Sequence, residues 1–158
     1  MMKLLVCVDL SSSMPNLLAY TKQLAQSLNA SVCLLHVTDS QDEMLGYGGV
    51  FGEFPLYIDP KELRQEIATR FKHEHQQLLA CSQQLQADGL SCIGLLVNGA
   101  AVVATILKEA QKHQADMIVV GSEHKGLLMT LVEGSTSKSL IGQADIAVLV
   151  VPVKAVAV

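Results

Sequence analysis

Five short aliphatic runs, each separated from the next by enough chain for a helix, constrain this sequence more than any other feature. They lie at 4–8 (LLVCV), 31–37 (SVCLLHV), 90–97 (LSCIGLLV), 116–120 (DMIVV) and 146–151 (IAVLVV). The runs are continuous rather than alternating, which suits strands buried on both faces of a parallel sheet. Strands that alternate with helices imply a parallel sheet, helices on both faces and right-handed crossovers. The core material agrees, because half of the 158 residues are hydrophobic yet there are three Phe, three Tyr and no Trp. The whole chain, 1–158, reads as one domain without repeats or linkers.

The segments between the runs carry helix signals. Ser11, Ser12, Ser13 and Pro15 mark a helix start, and Leu17, Leu18, Leu24 and Leu28 continue at helical spacing. The expected helix is 14–28, with Asn29 as its stop. From 61 to 87 a polar-faced helix carries a stripe of Leu63, Ile67, Phe71, Leu78, Leu79 and Leu85, and Asp88 and Gly89 end it. Asn98 and Gly99 turn the chain into a helix at 101–113. The segment 122–133 reads as a loop, followed by a short helix that opens near Gly134, Ser135 and Thr136. Between 38 and 60 the periodicity dissolves into four glycines, two prolines, and Tyr47, Phe51, Phe54 and Tyr57. A connection of that length is a functional or mobile insertion loop.

Several function classes fall away. The formal charge is -4, and no basic cluster is present to neutralise phosphates along a nucleic acid. No run approaches the length of a membrane helix, and Met1, Met2 and Lys3 lead straight into a strand without a signal peptide. The expected location is the cytoplasm. Cys7, Cys33, Cys81 and Cys92 are scattered, read as buried thiols, and lack the spacing of a zinc site. His73, Glu74 and His75 do not converge on one ion, since helical residues two apart point different ways, and they read as a solvated face. His36 reads as a satisfied, partly buried histidine, and His113 as a favourable cation near a helix end. There is no Walker loop, no nucleophile elbow and no dinucleotide glycine fingerprint.

Open parallel sheets bind ligands beyond the carboxyl ends of their strands, where the strand order reverses. The first exit offers Asp9, Leu10 and Ser11, and the second offers Val37 and Thr38. The fourth offers Gly121, Ser122, His124 and Gly126. Gly134, Ser135 and Thr136 have the chemistry of a phosphate site at a helix start. They have equally the chemistry of a plain helix cap, and the three residues alone leave both readings open.

Taken together, Val119-Val120-Gly121-Ser122, then Gly126, then Gly134-Ser135-Thr136, then 147–152 (AVLVVP) resemble the carboxyl-terminal signature of universal stress proteins. The resemblance extends to Asp9 and Ser11, to the strand holding His36, and to 115–121. It implies a five-stranded sheet ordered 3-2-1-4-5, of the Rossmann-like, adenine nucleotide alpha hydrolase-like type. It also implies a homodimer through the last strand, at 146–151. In nucleotide-binding members, residues matching Asp9 and Val37 hold the adenosine, and those matching Gly121, Gly134 and Ser135 line the phosphates. The candidate adenine-nucleotide set is therefore Asp9, Leu10, Ser11, Val37, Gly121, Ser122, His124, Gly126, Gly134, Ser135 and Thr136. The expected ligand is ATP or AMP, with Mg2+ an option beside it, and the expected role is a dimeric stress regulator with a protein partner. One position departs from the motif: His124 stands where the family has its middle glycine, and a Cβ there alters how closely the backbone can approach a phosphate. That departure favours the rival reading, a nucleotide-free dimeric adaptor. A slow ATPase is a third reading, but no convincing general base or metal-binding carboxylate pair accompanies the phosphate loop.

Overall fold

The computed structural model describes residues 1–10, 14–38, 60–99, 101–121 and 140–152. Five strands form one parallel sheet: β1 (Met2–Cys7), β2 (Ala30–Thr38), β3 (Cys92–Asn98), β4 (Met117–Gly121) and β5 (Ala147–Val151). Their order is β3-β2-β1-β4-β5, as the family resemblance implied. Among the described residues, four helices connect them: α1 (Met14–Leu28), α2 (Pro60–Ala87), α3 (Val102–Lys112) and α4 (Leu140–Gln143). The expected insertion loop and the start of the last helix lie outside the described residues.

Strand alternation sorts the core into two layers. Leu4, Val6, Val8, Val32 and Leu34 share one cluster with Leu17, Leu18 and Ala25 of α1 and with Leu78 and Leu85 of α2. Leu5, Cys7, Leu35, Ile118 and Val120 form the other with Ile106 and Ala110 of α3 and Leu140 of α4. Helices therefore cover both faces, and the central strands bury both of their sides. That double burial explains why the sequence shows runs rather than alternation.

Helix ends follow local chemistry. Asn29 accepts a positive φ of 50° after α1, a conformation that Asn tolerates better than most residues. After α2, Gly89 takes φ 87° while Leu90 N–H bonds to the Leu85 carbonyl at 3.1 Å. Gln114 closes α3 in the same manner, with Ala115 N–H on the Ala110 carbonyl at 2.9 Å. Both are Schellman closures, which satisfy the last carbonyls of the helix.

α2 differs from its expected stripe. Its carboxyl half sits on the sheet: Leu78 is 1% exposed, and Gln86 Nε2 donates to the Cys92 carbonyl at 2.7 Å, where β3 begins. Leu79 and Phe71 are exposed. Geometry gives the reason. Arg70 lies beside Thr38, the last residue of β2, and ten residues precede it in the helix. At 1.5 Å per residue, about 15 Å of α2 extends past the carboxyl edge of the sheet.

Candidate functional site

Chain direction sets the site. The sequence walks from β1 outward to β2 and β3, then crosses back to β4 and on to β5. Order reverses at β1, whose carboxyl end lies between those of β2 and β4. The register pairs Cys7 with Leu35, and Val6 with Val119. Carried forward two residues, this brings Asp9 level with Val37 on one side and Val8, the residue before Asp9, level with Gly121 on the other. Adjacent strands are about 5 Å apart, so Asp9, Val37 and Gly121 converge on one narrow edge.

Asp9 and Val37 are half-buried there, and Gly121 is buried. Val37 packs against the cluster on the α3 side of the sheet. Val8 N–H bonds to the Leu35 carbonyl at 2.8 Å, which keeps the chain paired with β2 right up to Asp9. Leu10 then takes φ 60°. A left-handed Leu costs roughly 1–2 kcal/mol, and strain of this kind clusters at functional turns. Gly99 N–H bonds to the Thr38 carbonyl at 3.0 Å and draws the exit of β3 into the same edge. Ser11, Ser122, His124, Gly126, Gly134, Ser135 and Thr136 lie outside the described residues.

The sequence reading missed one polar side chain. Glu74 was assigned to a solvated face with His73 and His75. Those two histidines are exposed, but Glu74 is half-buried. Its Oε2 lies 3.6 Å from His36 Nε2, and its Oε1 lies 3.5 Å from Arg70 Nε. Arg70 in turn donates to Thr38 Oγ1 at 3.5 Å. His36 is satisfied, as expected, through Nδ1 at 2.8 Å from the Val8 carbonyl oxygen. The signal for Glu74 was present in the sequence: Arg70, Glu74, Leu78 and Ser82 are each four residues apart, so they share one helix face.

The thiols match the expectation of burial at two of four positions. All four cysteines are free. Cys7 and Cys92 are buried, and Cys33 and Cys81 are half-buried. Burial, with a contribution from neighbouring Cys33, pushes the Cys7 thiol up to about 12. Burial also pushes Cys33 up to about 12, with Cys92 and Glu109 adding to it. Such thiols stay protonated at neutral pH and are poor nucleophiles. Among the described residues, no three metal-binding side chains come together, and no helix is long and apolar enough to cross a membrane.

Comparison with known proteins agrees with this architecture. The stress response protein NhaX of Bacillus subtilis (strain 168) is 26% identical over 166 residues, spanning 94% of this chain and 96% of that protein. A universal stress protein family member from Burkholderia pseudomallei superposes with a TM-score of 0.67 at 20% identity, covering 95% of each chain. A universal stress protein family protein from Arabidopsis thaliana, solved with AMP bound, gives a TM-score of 0.64 at 18% identity, covering 98% of this chain and 94% of its own. What these two structures share with this chain is the fold. The universal stress protein family model matches residues 1–152, and this chain belongs to that family.

Proposed function

We propose that this protein is an adenine-nucleotide-binding regulator of the stress response, acting in the cytoplasm as a homodimer. The observation that carries the reading is the convergence of Asp9, Val37 and Gly121 at the reversal point of the sheet, each at the carboxyl end of a different strand. Ligands of open parallel sheets bind at this place, and an Arabidopsis relative of the same fold was solved with AMP bound. On this reading the Asp9 carboxylate accepts hydrogen bonds from the adenosine, and Val37 packs on it. The amides of Gly134 and Ser135, with the Ser135 hydroxyl, receive phosphate at a helix start. Leu10, Ser11, Ser122, His124, Gly126 and Thr136 complete the candidate set. ATP and AMP are the ligands to test, each with and without Mg2+. Nucleotide changes signalling only if it binds one conformation better than another, and the partner surface is where that difference would be read.

The test is to denature purified protein, assay the supernatant for released nucleotide by mass spectrometry, and titrate nucleotide-free protein with ATP and AMP. Bound or titratable adenine nucleotide is the expected result. No released nucleotide and no response at millimolar ligand would overturn the reading.

One observation favours a second reading. His124 replaces the motif's middle glycine, so the chain could serve as a dimeric adaptor without nucleotide. A His124→Gly variant that gains affinity the parent lacks would establish that reading.

A further inference from the structure

The polar chain from β1 to α2 stands apart from the residues carried over for nucleotide contact. Val8, the residue before Asp9, has a carbonyl oxygen that can only accept, so the proton in the 2.8 Å contact belongs to His36 Nδ1. On the other side of the ring, Nε2 faces Glu74 Oε2 at 3.6 Å, too long for a hydrogen bond. Glu74 is held by Arg70 at 3.5 Å, and Arg70 reaches Thr38 at the end of β2. The side chains of His36 and Glu74 are only 13% and 17% exposed, so water is a poor substitute partner for either. In β2, His36 is level with Leu96 of β3, and the one charged residue of α1, Lys22, pairs elsewhere with Asp88.

We propose that His36 is a positioning residue for the candidate nucleotide site: it clamps the Val8 carbonyl and so fixes the direction in which Asp9 leaves the sheet, with Glu74 of α2 beside the far side of the ring. The peptide plane that His36 holds is the one joining Val8 to Asp9. The next residue, Leu10, already sits at φ 60°, a conformation that persists only where its surroundings enforce it. With the clamp released, the turn relaxes and Asp9 samples directions that do not face a ligand. The nucleotide part of this inference rests on the function proposed above, whereas the clamp itself does not.

The experiment compares full-length wild type with His36→Leu, His36→Asn and His36→Gln. The Asn side-chain nitrogen falls near the place of Nδ1, whereas that of Gln falls near the place of Nε2. Two readouts are taken: amide hydrogen exchange along β1, and affinity for ATP and AMP. His36→Leu is expected to lose exchange protection at Asp9 and Leu10 while Leu4 to Val6 stay protected. It is also expected to weaken nucleotide binding about tenfold, near the upper end for one hydrogen bond. His36→Asn should recover both to within about threefold, and His36→Gln should not. A purely structural role predicts a lower unfolding midpoint with uniform loss of protection and unchanged affinity, and that outcome would overturn the proposal. If His36→Leu fails to fold, the contrast between Asn and Gln decides the question. If wild type binds neither nucleotide, the functional reading falls, while exchange at Asp9 and Leu10 still judges the clamp.

Discussion

Leu10 pays a backbone cost immediately after Asp9, and a strained turn beside a half-buried carboxylate needs a compensating role. If that role is to aim Asp9 at adenosine, Asp9→Ala should weaken ATP or AMP binding by about 1.5–3 kcal/mol, the range for a hydrogen bond to a charged group. Calorimetric titration measures this, and an affinity within twofold of wild type would remove Asp9 from the site. The buried thiols give a second expectation at this scale. In the unfolded chain a thiol ionises near 9.0, whereas Cys7 in the fold keeps its proton until about 12. Above pH 9 the unfolded state loses protons that the folded state retains, so linkage lowers stability as pH rises. The contribution is fully present below pH 9 and is lost as pH climbs toward 12. Denaturant unfolding at pH 8 and pH 10.5 should show this loss, and Cys7→Val should show a shallower one. Equal slopes in the two proteins would contradict the assigned burial.

Each element was legible to the extent that its residues kept to one chemical class. β1 and β4 are buried along most of their length while β3 and β5 are only partly covered, yet all five are apolar runs, and the bounds read from sequence fall within two residues of those observed. α2 was harder, because adjacent Leu78 and Leu79 both entered the expected stripe and only one can face the sheet. Leu78 is 1% exposed and Leu79 is 46% exposed. Leu78→Ala should therefore cost about 2–5 kcal/mol, and Leu79→Ala within about 0.5 kcal/mol of nothing. Chemical denaturation reads both, and equal costs would mean the helix is rotated from the position described. Glu74 was misread for a related reason. A carboxylate is expected in water unless it is paired, and its partner His36 is 38 positions away, beyond the reach of any periodicity. The site was legible differently: Asp9, Val37 and Gly121 were named from strand exits and from the family resemblance, and parallel pairing, which no periodicity shows, is what aligns their strand ends.

At the scale of the molecule, the described residues leave the sheet two edges, β3 and β5, and an unpaired edge is a template for another chain. The edges are not equivalent. β3 is interrupted by Gly94, a residue that weakens a strand, whereas β5 reads AVLVV without a charge or a glycine. Three of its five residues, Val148, Leu149 and Val150, are only partly buried in the single chain. The composition and partial exposure of β5 make it the edge that gains most from pairing with a second copy. Two copies related by a two-fold axis through the strand centre would bring Leu149 opposite its own symmetry mate. Leu149→Lys would then set like charges directly across the interface, an arrangement that destabilises paired strands. Leu149→Ala removes comparable packing without adding charge, so it separates the interface from the core. Sedimentation at micromolar concentration should find wild type and Leu149→Ala as dimers and Leu149→Lys as a folded monomer. A wild-type protein that sediments as one chain would exclude the dimer. A Leu149→Lys protein that stays dimeric would move the interface away from the β5 centre, leaving the β3 edge and the α2 overhang as the surfaces to probe next.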